Sequence, residues 1–167
     1  MKRVLIIGNA GSGKTTFARK LAEKTGLPLV HLDKLYWNGN WHHVKREEFD
    51  TILQKELEKP VWIIDGNFNR TLPHRLQYCD TVFYFNVSTL TCLWGITKRV
   101  LQSYGKTRDD MGGNCPEFFD KQKLPLYRNV LAFKKQNHQR YCNLLENAEG
   151  VHVVVFKSRR QAQQYIK

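Results

Sequence analysis

Apolar residues along this chain gather in five short runs, at residues 4–7, 29–32, 61–64, 81–87 and 151–156. Each is rich in aliphatic, β-branched or aromatic side chains and is bounded by polar or turn-forming residues. Such runs read as strands buried on both faces. Between them the apolar positions recur at helical spacing, which predicts helices over 15–25, 45–58, 88–104, 125–147 and 158–166. Strand and helix alternate, the pattern of an α/β fold in which a parallel sheet carries helices on both faces. Two stretches fit neither period: "KLYWNGNWHH", residues 34–43, and "GKTRDDMGGNCPE", residues 105–117. Long irregular connections in an α/β unit are usually functional.

Candidate chemistry starts where the first run ends. There the chain reads Gly8-Asn9-Ala10-Gly11-Ser12-Gly13-Lys14-Thr15-Thr16 and then becomes helical, meeting the pattern G-x-x-x-x-G-K-[ST] in full. Glycines permit positive φ, so successive backbone N–H groups turn inward on a phosphate, and the helix that follows adds its N-terminal partial charge. Lys14 reaches the β- and γ-phosphates and the Thr15 hydroxyl suits Mg²⁺. A nucleoside triphosphate with Mg²⁺ is therefore the expected ligand, held by residues 8–16.

What accompanies the loop narrows the chemistry. There is no N-K-x-D motif for guanine selection and no Asp-Glu pair closing an apolar strand, as water-activating motor ATPases have. The second run instead closes on Asp33 in "VHLD", and the third on Asp65 in "VWIIDGNFNR". In an open parallel sheet both carboxylates emerge at the edge that bears the phosphate loop. Asp65 suits Mg²⁺, directly or through water; Asp33 suits orienting or deprotonating an acceptor hydroxyl, or serving the metal. Phosphoryl transfer further requires positive charge and exclusion of water. Arg99 and Arg108, with Lys98 beside them, are candidates for the charge, and residues 105–119 for a lid. Arg70 and Arg75 follow Asp65 across Pro73, as a loop passing into a short helix, and either could bind an anionic acceptor. Tyr36 and Trp37, with Trp41, are candidates for stacking on an acceptor ring, or else for a hydrophobic cap on the sheet edge.

Composition changes this picture little. With 167 residues, 41% of them hydrophobic and 25% charged, the chain suits one folded domain over 1–167, with an insert at about 34–60. Cys79, Cys92, Cys115 and Cys142 are too widely spaced for a zinc site and read as reduced thiols, with Cys115, in a Gly-rich polar loop, the candidate for reactivity. Net charge is +12. That favours polyanions, so nucleic acid is a candidate partner beside a small-molecule acceptor, though the charge is spread rather than gathered in a stripe. No apolar stretch approaches the ~20 residues of a membrane span, and Met1-Lys2-Arg3-Val4 passes straight into a strand without room for a cleavable leader. The expectation is a cytoplasmic protein with no membrane partner.

Taken together, "GNAGSGKTT", "HLDKLYW", "DGNF" with Arg75 downstream, "DTVFYFNV" and "TRDDMGGNCPE" resemble the adenylate-kinase-like phosphate-loop kinases, which include the nucleoside monophosphate, shikimate and gluconate kinases. The sequence is similar in particular to the small bacterial DNA topology modulation proteins. The resemblance implies a phosphate-loop NTPase three-layer sandwich with strand order 2-3-1-4-5, an acceptor-binding insert after the second strand and a lid before the long helix. It also implies ATP as the nucleotide, with its base near the loop after the fifth strand, around Lys157 to Arg160. In adenylate kinases the motif after the third strand reads Asp-Gly-Phe-Pro-Arg; here Asp65-Gly66-Asn67-Phe68-Asn69-Arg70 has one extra residue and no proline. The family name further implies an effect on DNA supercoiling as the alternative function.

Overall fold

In the computed structural model, which describes residues 1–167 apart from the side chain of Gln122, all five apolar runs become strands of one sheet. They are β1 (Arg3–Gly8), β2 (Leu29–His31), β3 (Trp62–Asp65), β4 (Thr81–Phe85) and β5 (His152–Phe156), in the order β2-β3-β1-β4-β5. Every pairing is parallel, with Ile6 opposite Asp65 and Phe83, and His31 opposite Asp65. The helices are α1 (Lys14–Thr25), α2 (Leu32–Tyr36), α3 (Arg46–Leu57), α4 (Leu72–Leu76), α5 (Thr89–Gln102), α6 (Leu124–Glu146) and α7 (Arg159–Ile166).

The unbroken hydrophobicity of β1 is explained by its two neighbouring layers. Val4 and Ile6 face a core completed by Phe17, Ala18 and Leu21 of α1, Cys92 and Ile96 of α5, and Ala162 of α7. Leu5 and Ile7 face the other, completed by Phe49, Leu53 and Leu57 of α3, Leu72 and Leu76 of α4, and Phe133, Tyr141 and Leu145 of α6. A strand whose alternate side chains enter different cores cannot show a polar face. On the first side the Phe17 ring packs edge-on to Phe83, Phe85 and Phe156 at 4.9–5.4 Å between centroids, a geometry that aromatic quadrupoles favour.

Helix ends follow local chemistry. Ser88 and Ser158 cap α5 and α7 by accepting from Thr91 N–H and Gln161 N–H. Gly26, at φ +71°, ends α1 and donates its N–H to the Ala22 carbonyl.

The sequence reading needs one correction here. The second strand closes on His31, not Asp33; Leu32 and Asp33 already belong to α2, so part of the expected irregular segment is helical. Leu32 is fully buried, and turning the chain into a helix there lets the next apolar residues, Leu35 and Tyr36, pack on the same core.

Candidate active site

The C-terminal ends of the strands open on a cleft of about 1320 Å³. One wall is the phosphate loop. Gly8, Gly11 and Gly13 adopt φ of +136°, +72° and +106°, which side-chain-bearing residues resist. At Gly8 a Cβ would also lie 2.5 Å from the Phe85 carbonyl oxygen. Asn9 is buried and donates its Nδ2–H to the Val130 carbonyl at 2.9 Å, tying the loop to α6, so its side chain serves the scaffold. Ala10, Gly11, Gly13, Lys14, Thr15 and Thr16 line the cleft, whereas the Ser12 side chain is fully buried.

Lys14 lies almost wholly out of solvent and donates to the Asn9 carbonyl at 2.7 Å. Burial lowers its pKa, with Asp65 the main group opposing the shift. A buried ammonium whose hydrogen bond goes to a carbonyl is further stabilised by an anion, which a phosphate would supply.

The metal-binding expectation meets a specific geometry. Thr15 Oγ1–H donates to Asp65 Oδ2 at 2.7 Å, and His31 Nδ1 lies 3.2 Å from the same oxygen. Asp65 Oδ1 is buried without a hydrogen-bond partner. An orphaned carboxylate oxygen is costly unless a cation or donor completes it. Among the described residues no cluster of three or more His, Cys, Asp or Glu could hold a metal by itself. That fits Mg²⁺, which takes one or two protein oxygens and completes its shell with phosphates and water.

Asp33 lines the cleft, and burial raises its pKa while Arg108 opposes the shift. Trp37, Trp41, Phe68, Met111 and Pro116 contribute apolar lining to the same cleft. Arg99 and Arg108 line the same cleft. The Arg99 pKa is lowered by burial first and by the Arg108 charge second. Their counter-charge is Glu117, fully buried, with Oε1 3.1 Å from Arg108 Nε and 3.9 Å from Arg99 Nε. Asp110 pairs with Arg108 at 3.1 Å and with Arg19 at 3.8 Å.

Other expected site residues lie elsewhere. Arg75 is fully buried, and its guanidinium donates to the carbonyls of Gly66, Asn67 and Phe68 and to Thr71 Oγ1. Burial pushes its pKa down to about 10. It pins the turn after β3 and is closed to an acceptor. Arg70 is engaged by Asp50 in a two-pronged pair at 2.9 and 2.5 Å and lines a smaller cavity of about 440 Å³ that also includes Tyr36, Asp33 and Trp37. The Tyr36 ring is packed by His43, Phe49 and Phe68, so it is mostly core. Lys157 is exposed and lines neither cavity. Cys115, far from being a reactive loop thiol, is fully buried, and all four cysteines are free.

Three further residues, none given an individual role by the sequence, shape the site. Arg159 lies against the phosphate loop, donating to the carbonyls of Gly11 at 2.5 Å and Ser12 at 3.3 Å. Asn67 Oδ1 accepts the Gly8 N–H at 2.8 Å. His31 reaches Asp65 because the register places them side by side. Arg159 had a signal, lying in the stretch 157–160 expected near the base. His31 had none, because the apolar run reads as a second strand ending on Asp33, and only the register pairs His31 with Asp65.

This fold is that of a phosphate-loop kinase, and the comparisons with known proteins agree on that architecture. The solved shikimate kinase from Bacteroides thetaiotaomicron superposes with a TM-score of 0.59 at 17% identity, covering 99% of this chain and 94% of that one. The shikimate kinase from Acinetobacter baumannii, solved in complex with shikimate, gives 0.59 at 16%, covering 99% and 91%. In sequence, residues 4–75 match the model of the ATPase family associated with various cellular activities (AAA). The chain is 30% identical over 118 residues to a putative adenylate kinase of Pyrococcus furiosus, covering 66% of this chain and 60% of that protein. It is 41% identical over 49 residues to a shikimate kinase of Parabacteroides distasonis, covering 29% and 28%. The chain thus spans less than two thirds of the curated relatives it matches. What these likenesses support is a kinase-like phosphate-loop fold.

Proposed function

We infer that the chain is a Mg²⁺-ATP-dependent phosphotransferase acting on a hydroxyl group of a small molecule. The observation that carries this reading is Asp33, a half-buried carboxylate lining the cleft that the phosphate loop opens on, with a pKa that desolvation raises. An acceptor phosphate would bring negative charge to a carboxylate, whereas an acceptor hydroxyl gives it a proton to accept. The guanidiniums after β3 do not offset that repulsion, since Arg75 is spent on backbone carbonyls and Arg70 on Asp50.

Backbone N–H groups of the loop and the Lys14 ammonium bind the phosphates. Thr15 and Asp65 would hold Mg²⁺, which would supply charge screening for the polyphosphate. Asp33 accepts the proton as the acceptor oxygen bonds to the γ-phosphorus and the bond to the β-phosphate oxygen breaks, releasing ADP. A carboxylate pKa raised by burial brings the base nearer the working pH. Arg99 and Arg108 stabilise charge on the transferring group. Residues 105–119 act as the lid, and Trp37, Trp41, Met111 and Pro116 keep water from competing.

The test is ADP formation from Mg²⁺-ATP with pooled polyols, sugar acids, nucleosides, nucleoside monophosphates or supercoiled DNA. A hydroxyl-bearing pool should stimulate turnover, and Lys14→Ala should lose it by about 10³-fold or more. Stimulation by the monophosphates through their phosphate, or by DNA alone, would overturn the assignment.

A further inference from the structure

Residues 105–119 lie directly on the segment that follows α2. The Asn40 N–H donates to the Asn114 carbonyl at 2.6 Å, and Trp41 Nε1–H donates to the Pro116 carbonyl at 3.2 Å. The two backbones are in contact without side chains between them. A Cβ at Gly112 would meet the Trp37 carbonyl oxygen at 2.0 Å, and one at Gly113 would meet the Gly39 nitrogen at 2.3 Å. On the other strand of this contact, Asn40 and Trp41 hold φ of +47° and +58°. Positive φ is rare for a bulky aromatic residue and persists only where its surroundings enforce it.

A charged chain runs through the same contact. Lys123 Nζ sits 3.7 Å from the centroid of the Trp41 ring and 2.5 Å from Glu117 Oε2. The other carboxylate oxygen of Glu117 faces Arg108 and Arg99. A fully buried carboxylate thus stands among three cations, one of which is stacked on the acceptor-side aromatic. A carboxylate has no donor to offer substrate as an anion and is shut off from solvent, so its contribution is through the cations it holds.

We propose that Glu117 is a positioning residue that fixes Arg99 and Arg108 in the cleft and, through Lys123 on Trp41, ties the 105–119 loop to the 37–43 segment, so that lid and acceptor wall open and close as one body. This deepens the phosphotransferase reading and rests on it for the role of the two arginines; the tie itself does not. It departs from an arrangement in which lid and acceptor wall close independently. Its consequence is that a nucleotide ordering the arginines also orders the acceptor wall, before any acceptor binds.

The tie is tested by backbone hydrogen–deuterium exchange on the full chain, with and without a non-hydrolysable ATP analogue and Mg²⁺. In the unchanged protein the analogue should slow exchange in 105–119 and 37–43 together. Glu117→Gln should speed exchange in both segments and remove the joint protection. Lys123→Met, which leaves the Glu117–arginine pairs in place, should release 37–43 while 105–119 keeps its protection by nucleotide; it remains informative if the Glu117 variant is poorly folded. Analogue protection confined to 105–119 in the unchanged protein, or 37–43 unaltered in Lys123→Met, would overturn the tie. In turnover, displaced arginines should lower kcat by about 10²-fold with little change in KM for ATP, and Glu117→Asp should recover part of it. Equal losses in kcat/KM through KM alone would overturn the positioning role. Failure of the unchanged protein to transfer phosphate would count against the phosphotransferase reading while leaving the exchange result to stand or fall separately.

Discussion

At the phosphate loop, residues 8–15, glycines at positive φ set the backbone that lines the cleft, whereas the facing wall is lined by side chains of Asp33, Trp37, Trp41, Arg99, Arg108 and Lys123. The first region is built from one continuous stretch of chain, though Asn67, Val130 and Arg159 also hold it in place. The second is assembled from separate stretches of chain and held by ion pairs to one buried carboxylate. Backbone recognition suits a ligand part shared by many proteins, the polyphosphate. Side-chain recognition suits the part in which relatives differ, the acceptor.

The largest expected effect lies on the wall. Asp33→Asn should lower kcat by roughly 10²–10⁴-fold, the usual contribution of a positioned base. The same change should raise the melting temperature at neutral pH. Burial holds the Asp33 pKa above its ordinary 3.8, so between those values the folded chain keeps a proton that the unfolded chain has released. Stability therefore falls as pH rises through that window. Asparagine carries no such cost. The gain should be seen by calorimetry at pH 7 and vanish below pH 3.8. A variant that loses activity and stability together would show that Asp33 is structural and dissolve the contrast between the two regions.

A smaller effect separates the loop from an ordinary turn. Gly8→Ala puts a Cβ 2.5 Å from the Phe85 carbonyl oxygen at φ +136°. Gly26→Ala meets a similar sign of φ, +71°, but nothing within 4 Å. The first should cost about 1–3 kcal/mol and weaken ATP binding, since the loop shifts with it; the second should cost about 1 kcal/mol and leave binding alone. Denaturant unfolding and titration with nucleotide read both. Equal costs would mean that the loop tolerates displacement and that its geometry is less strictly imposed than its glycines imply.

The same division explains what could be read from the sequence. Strand and helix positions and the phosphate loop depend on periodicity and short-range turn chemistry, and these were legible; the strand order came only from the family resemblance. The end of β2 was misplaced by two residues because Leu32 is as apolar as a strand residue, and only the core shared with Leu35 and Tyr36 shows it to be helical. Arg75 looked like an acceptor ligand because a lone arginine after a strand-end aspartate gives no hint of its partners. Those are three consecutive carbonyls, turned toward it by the loop that Gly66 and Phe68, at φ of +146° and +36°, redirect. Glu117 closes the stretch "TRDDMGGNCPE", but no sequence feature assigned it a role of its own. Its meaning comes from cations at 99, 108 and 123 that meet only in three dimensions. Arg159 fell within the stretch 157–160 expected near the nucleotide; it opens α7 and reaches the Gly11 and Ser12 carbonyls, whereas Lys157, before the Ser158 cap, is exposed.

The smallest effect concerns the loop alone. Burial lowers the Lys14 pKa from 10.5, so in the free protein the unfolded chain holds this proton more firmly than the folded one does. Stability of the free protein should rise as pH climbs from the lowered pKa toward 10.5. Phosphate reverses the balance, because a dianion within reach favours the ammonium form. Nucleotide binding at a pH within that window should therefore take up protons, and affinity should fall as pH rises through it. Calorimetric titration in buffers of different ionisation enthalpy measures the uptake directly, and Lys14→Met should abolish it. Asp33→Asn should preserve it, because the two groups serve opposite walls and Asp33 is a lesser influence on Lys14 than burial or Asp65. If Asp33→Asn instead removed the uptake, the proton would belong to a coupled pair spanning the cleft, and loop and wall would have to be treated as one electrostatic unit.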